Sequence, residues 1–131
     1  MKDKEESPLN KLVIKSSKKV EEIMYSTLKD YIGLDKDTHE VIFLDTAKDL
    51  TIEKRVLLLL LGYTAMKILG WIDNDALKPK EVAMKIGANH NTVRYILSGL
   101  HKKGIVDRSR GLYRIKLSRI LEIANMFKKE G

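Results

Sequence analysis

Within a predicted helix from Ile52 to about Leu69, the segment Val56 to Leu61 is apolar around the whole circumference. At about 100° per residue, Val56 to Leu61 point in every direction, and a helix without a polar face is a buried one. The longest run without a charge, Val56 to Met66, has 11 residues, whereas a membrane-spanning helix needs about 20. We therefore predict a central core helix, capped by Thr51, and no membrane span.

The composition sets the class of protein that surrounds this helix. A chain of 131 residues with 44% hydrophobic and 33% charged side chains suffices for one core. The absence of cysteine excludes a disulfide framework, thiolate catalysis and thiolate zinc sites. Residues 1–7 mix acids and bases with no apolar run behind them, unlike a secretory signal, so we expect a cytoplasmic protein.

The first 50 residues form what we interpret as an N-terminal extension with room for a protein partner. Between Lys18 and Ile32, apolar residues recur at the three-and-four spacing of an amphipathic helix, which we expect to end at Gly33. Residues 40–45 are apolar and partly β-branched, which indicates a strand. Ser7-Pro8 could open a helix, and residues 11–15 could equally be a short extended piece.

The second half of the chain contains clear helix boundaries. Pro79 suits a first helical position, and Gly87 suits the end of a short helix. Asn89 is a favourable cap for a third helix, over residues 89–103, which Gly104 ends. Residues 105–108 and 112–116 alternate as two strands of a hairpin around Gly111, and residues 117–129 are expected to close the chain as a helix.

This order of elements resembles the winged helix-turn-helix family of small bacterial and archaeal DNA-binding regulators, and residues 80–108 carry the resemblance. The positions that match the family pattern are Ala83 at the helix crossing, Gly87 in the turn, Asn89 as cap, Thr92-Val93 opening the recognition helix, Leu100 as core anchor, and residues 103–106 leading into the wing. The resemblance implies a mainly α fold with a small β-hairpin wing. It places a winged helix-turn-helix domain at residues 51–116, between the N-terminal helical extension and a C-terminal helix within 117–131.

Two residues depart from the family pattern. Lys78 replaces the usual Ser or Thr before Pro79, so the second helix is expected to be poorly capped. Ala88 stands where the family has a larger apolar residue, which predicts looser packing under the turn.

The net charge of +7 resides entirely in the second half. Residues 1–72 hold 12 basic and 12 acidic side chains, and residues 73–131 hold 13 basic and 6 acidic ones. Such clustering is an electrostatic footprint for phosphate, and the alternative is a solvated basic surface.

The third helix presents hydrogen-bonding side chains opposite its apolar face of Val93, Leu97 and Leu100. Arg bonds guanine and Asn bonds adenine in the major groove. The candidate base contacts are Asn89, His90, Asn91, Arg94 and Tyr95. The candidate phosphate contacts are Lys80, Lys85, Ser98, His101, Lys102 and Lys103. The resemblance implies that Arg108 and Arg110, on the wing, reach the minor groove or the flanking backbone.

Several of these residues also fit a structural role. Asn89 is as good a cap as a base reader, and Tyr95 fits as a cover for the edge of the core. Lys102 and Lys103 suit the negative end of a helix without any ligand. His90 and His101 would lie about 16 Å apart on one helix, too far to share a metal ion.

No catalytic motif accompanies the basic helix. The sequence lacks a Gly-rich phosphate loop and a nucleophile motif, and Asp73-Asn74-Asp75 lacks the rest of a calcium loop. We therefore expect no enzyme, no metal and no cofactor.

The expected function is sequence-specific binding of double-stranded DNA by a nucleoid-associated transcriptional regulator. The alternatives are a winged-helix protein-interaction module in a transcription or replication assembly and a nonspecific nucleic-acid or chromatin binder. The polar, basic third helix favours DNA. A homodimer is expected because residues 20–32 and 117–127 carry more apolar surface than one small core absorbs, and either could be the interface.

Overall fold

The structure, a computed structural model, describes residues 7–12 and 16–128. Within these ranges the chain is an α+β fold, mostly helical, with two small antiparallel hairpins. Its helices and strands are α1 (Ser16–Leu28), β1 (Ile32–Asp35), β2 (Glu40–Phe43), α2 (Ile52–Ile68), α3 (Pro79–Ile86), α4 (His90–Lys102), β3 (Val106–Ser109), β4 (Leu112–Ile115) and α5 (Ile120–Met126). Short 3-10 turns occur at Pro8–Leu12, Asp45–Ala47 and Leu117–Arg119.

Helix α2 is the centre of the core, as predicted. Every side chain from Val56 to Leu61 is buried, and α2 packs against α1, α3, α4 and both hairpins. The Thr51 hydroxyl accepts a hydrogen bond from the Lys54 amide at 3.2 Å, so the cap is also confirmed. One apolar cluster joins residues of α1 to those of α2, α3, α4 and β4, so the N-terminal extension shares the core of the second half.

The predicted extent of the first helix was wrong. Helix α1 ends at Leu28, and Ile32 begins strand β1, which pairs with β2 through Ile32 opposite Phe43. The apolar spacing continues past the end of the helix because Ile32 is also buried. Its side chain belongs to strand β1, which packs against α2. The strand expected over residues 40–45 is observed as Glu40–Phe43.

The turn between β1 and β2 is held by Asp35. Its Oδ1 accepts hydrogen bonds from the amides of Asp37 at 2.8 Å and Thr38 at 3.1 Å. These two backbone donors, that of Thr38 most strongly, lower the pKa of the Asp35 carboxyl below its ordinary value. The sequence therefore closes this hairpin with a local side-chain turn.

Near both ends of the described chain, the helices and strands cover fewer residues than the patterns predicted. Residues 8–12 form a 3-10 turn, and residues 13–15 of the extended alternative lie outside the described part. The last helix begins only at Ile120, after a 3-10 turn, and ends at Met126, while residues 129–131 lie outside the described part. Ile120 and Ile123 of this helix are buried, as is Phe127 directly after it, whereas Leu121 is exposed.

The loop after α2 is tied to both the core and the second hairpin. Asp75 is 4% exposed and accepts a hydrogen bond at Oδ2 from the Thr64 hydroxyl of α2, at 2.9 Å. Two residues later, Leu77 exchanges both backbone hydrogen bonds with Tyr113 of β4, at 2.9 and 2.8 Å. The loop thus fixes β4 beside the start of α3. No helix of the described residues is long and apolar enough to cross a membrane.

Candidate nucleic-acid interface

Helix α4 lies against the core with one face and projects a polar face outward. Val93, Leu97 and Leu100 are buried, as the spacing predicted. The opposite face carries a stripe of exposed side chains: His90, Asn91, Arg94, Tyr95 and Ser98. From Asn91 to Ser98 this stripe runs about 10 Å along the helix.

The turn between α3 and α4 sets the direction of this stripe. Gly87 ends α3 in the left-handed conformation, with φ of 67°. The Asn89 Oδ1 accepts hydrogen bonds from the amides of Asn91 at 2.8 Å and Thr92 at 3.3 Å. From α2, the Arg55 guanidinium donates to the Ile86 carbonyl at the end of α3, at 3.2 Å. Together these contacts hold both helix ends at the turn.

The second hairpin projects arginines beside α4. Its turn residues, Arg110 and Gly111, have φ of 52° and 77°, which is the type I′ geometry that matches the twist of a two-residue hairpin. In β3, Arg108 faces Tyr113 across the ladder, and its Cζ lies 5.8 Å from the tyrosine ring centroid. The ring therefore restrains the Arg108 side chain against the hairpin.

Helix α4, the second hairpin and the start of α3 line one open groove. Its lining residues are Lys78, Pro79, Lys80, His90, Asn91, Arg94, Tyr95, Ser98, Arg108, Arg110, Gly111 and Tyr113. Among these residues are five cations and no carboxylate. The ion pairs found in the described ranges lie elsewhere, at Asp45–Lys48, Lys67–Asp75 and Arg119–Glu122. The groove therefore offers positive charge without an internal counter-charge.

The groove brings together eight of the residues that the sequence marked. These are Lys80, His90, Asn91, Arg94, Tyr95, Ser98, Arg108 and Arg110. Tyr95 is 83% exposed, so it does not cover the core.

The other marked residues lie outside the lining. Asn89 is the helix cap, and its carboxamide oxygen is occupied by two amides. Lys85 packs on Tyr63, 5.7 Å from the ring centroid, and a hydrogen bond with the Tyr63 side chain raises the pKa of its ammonium. His101, Lys102 and Lys103 are exposed at the far end of α4.

Four lining residues were not marked as contacts: Pro79 and Gly111, which were predicted only as structural positions, and Lys78 and Tyr113. Lys78 was read only as a poor cap, yet its backbone amide donates to the Glu81 carboxylate at 3.1 Å, so α3 is capped from its own first turn. The sequence feature that indicates this cap is a glutamate, Glu81, three residues after Lys78, with Pro79 at the first helical position. Tyr113 was read as a strand residue, and its place at the base of the groove follows from its pairing with Leu77, which no local pattern reveals.

Comparison of the chain with protein-family models, with curated proteins and with solved structures found no match. In the described part of the chain, no three His, Cys, Asp or Glu residues come together as metal ligands could.

Proposed function

We propose that the groove binds double-stranded DNA and that residues 51–116 act as a winged helix-turn-helix domain, with α4 as the recognition helix and the second hairpin as the wing. The observation that carries this proposal is a lining of five cations and no carboxylate around an exposed polar helix face. Phosphate attraction supplies most of the nonspecific affinity for DNA.

The dimensions of α4 fit the DNA major groove. An α-helix with its side chains is about 10–12 Å across, and the major groove is about 12 Å wide. The exposed stripe from Asn91 to Ser98 spans about 10 Å, which corresponds to about three base pairs at 3.4 Å each. Inserted in this way, α4 aims Asn91 and Arg94 at base edges.

The residues around α4 supply the contacts that hold the helix in place. Lys78 and Lys80, at the start of α3, and Arg108 and Arg110, on the second hairpin, line the same groove as the exposed face of α4. Cations beside an inserted helix contact the phosphate backbone that borders the major groove. Such contacts fix register and carry little base information.

This function is binding without a catalytic step, and it suits a transcriptional regulator located with chromosomal DNA in the cytoplasm. A protein-interaction role is less favoured because the exposed face of α4 is polar, whereas a protein-binding groove has an apolar centre. A nonspecific binder would use the same cations without base readout.

Selection of preferred sites from random duplex DNA tests the proposal. The wild-type chain is expected to enrich a motif, and Asn91→Ala and Arg94→Ala should each relax one or two of its positions, because a bidentate base contact contributes about 1–3 kcal/mol of discrimination. Arg108→Ala should lower affinity for all sequences and leave the motif unchanged. Lys102→Ala, which removes an α4 cation outside the groove, is the matched control. It should retain both the wild-type affinity and the wild-type motif.

Each alternative has a distinct outcome in this experiment. Wild-type binding without an enriched motif, lost in the groove variants, would replace specific regulation with nonspecific binding. Groove variants that bind DNA as the wild type does, while still folded by thermal melts, would overturn the DNA proposal.

A further inference from the structure

A second, apolar depression lies between α1, β1 and the end of α2. It is a cavity of about 280 Å³ whose lining is mostly hydrophobic, and its lining residues are Glu21, Met24, Tyr25, Leu28, Lys29, Ile32, Gly33, Leu34, Ala65, Ile68 and Leu69. The deeper residues Met24, Leu28 and Ile32 belong to the core. None of these residues lines the DNA groove.

The rim of this depression is an unusual surface for a monomer. Tyr25 is 69% exposed, Leu69 55% and Ile68 41%, and all three border the same cavity. Contiguous exposed apolar groups rimmed by charges are typical of protein-protein contact. Another protein surface is therefore the expected occupant of this depression.

The charges on α1 indicate which surface that is. Glu21, Tyr25 and Lys29 are spaced by four residues, so they form one stripe along the edge of the depression. Among the described residues, neither Glu21 nor Lys29 belongs to an ion pair within the chain. The Lys29 ammonium lies 5.9 Å from the Tyr25 ring centroid, so the stripe combines an acid, an aromatic ring and a base.

This stripe is complementary to itself in one antiparallel register. When two α1 helices pack about a two-fold axis through Tyr25, Glu21 of each copy faces Lys29 of the other, and the two tyrosines meet on the axis. An axis one turn earlier sets Glu21 against Glu21, and an axis one turn later sets Lys29 against Lys29. Isologous contacts require such self-complementarity, and like charges across an interface disfavour the other registers.

We propose that this face is the interface of a homodimer, with α1 packed antiparallel on α1 of a second copy and Tyr25 at the two-fold axis. Among the described residues, helix α5, the other candidate from sequence, exposes one large apolar side chain, Leu121 at 65%, whereas three such side chains, Tyr25, Ile68 and Leu69, border the depression beside α1. The inference goes beyond DNA binding and does not depend on it, because the interface residues and the groove residues are separate sets.

The test is the mass of the full chain in solution, without DNA, by sedimentation or light scattering at micromolar concentration. The wild-type chain should give a particle of twice the 15.0 kDa chain mass. Glu21→Lys alone and Lys29→Glu alone each create two like-charge contacts, and each should weaken association by about tenfold or more. The double variant restores opposite charges in both contacts and should restore the dimer.

Matched charge reversals at the turn between β1 and β2, Asp37→Lys and Lys36→Glu, serve as controls and should remain dimeric. Melting curves must show every variant folded. A wild-type particle of single-chain mass would overturn the proposal and leave the depression to residues 1–15 or to a different protein. Single reversals that dimerise as well as the wild type, or controls that dissociate equally, would also overturn it, and neither result would affect DNA binding by the groove.

Discussion

Arg110 combines a strained backbone conformation with a place in the lining of the proposed DNA-binding groove. It occupies the left-handed region, with φ of 52°, at the first turn position of the second hairpin. A left-handed conformation costs an ordinary L-residue about 1–2 kcal/mol, and type I′ turns prefer Asn-Gly at these two positions. The turn does not favour an arginine there, and under the proposed function its place in the groove lining accounts for it.

Substitution of Arg110 should therefore change stability and binding in opposite directions. Arg110→Asn is expected to raise the free energy of unfolding by about 0.5–1 kcal/mol because it relieves the turn. The same change should weaken DNA binding for all sequences and reduce the salt slope by about 1. Denaturant unfolding and fluorescence anisotropy measure the two effects.

Arg114 provides the control for this experiment. It is exposed on β4 and does not line the groove. Arg114→Asn removes the same charge from the same hairpin without relieving any left-handed residue. It should give no gain in stability and a smaller loss of affinity, and a gain equal to that of Arg110→Asn would contradict the role of turn strain.

At the scale of elements, the first hairpin depends on the absence of a side chain in α2. A Cβ built on Gly62 would lie 2.7 Å from Cγ2 of Val41 and 3.1 Å from Cδ1 of Ile32. The glycine costs about 1 kcal/mol of helix propensity relative to alanine. It permits β1 and β2 to approach the central helix closely.

Gly62→Ala should consequently destabilise the chain in spite of its better helix propensity. Overpacking of a core site costs about 1–3 kcal/mol, against about 1 kcal/mol gained from propensity. Val41→Ala removes the methyl group nearest the new Cβ, so the free energy lost in the double variant should be smaller than the sum of the losses in the two single variants. Additive losses in denaturant unfolding would mean that the clash is not between these two residues.

These elements also show how far the sequence alone leads. The buried helix α2, the Thr51 and Asn89 caps and the second hairpin were predictable because each rests on local spacing or on a cap residue. Strand β1 was not, since Ile32 continues the helical spacing of α1 and its strand partner appears only eleven positions later, at Phe43. The groove lining was predicted on α4, and Lys78 and Tyr113 were missed because a loop pairing brings them there.

At the scale of the whole molecule, the excess positive charge and the exposed apolar surface lie on different sets of residues. The net charge of +7 comes from the second half of the chain, where the groove lies. The exposed apolar rim belongs to α1 and the end of α2. Two copies joined through α1 would carry two grooves, and a dimer would then read two half-sites.

The salt dependence of duplex DNA binding tests the central claim most directly. With four groove cations on phosphates and Arg94 on a base, log K should fall with log salt at a slope of about −4 per chain, at about −0.9 per phosphate contact. Lys80→Ala and Arg108→Ala should each flatten this slope by about 1, and Lys85→Ala, outside the groove, should leave it unchanged. A flat response of the wild-type chain, or a Lys85→Ala slope that changes as much as the groove variants do, would contradict the assignment of this groove to DNA.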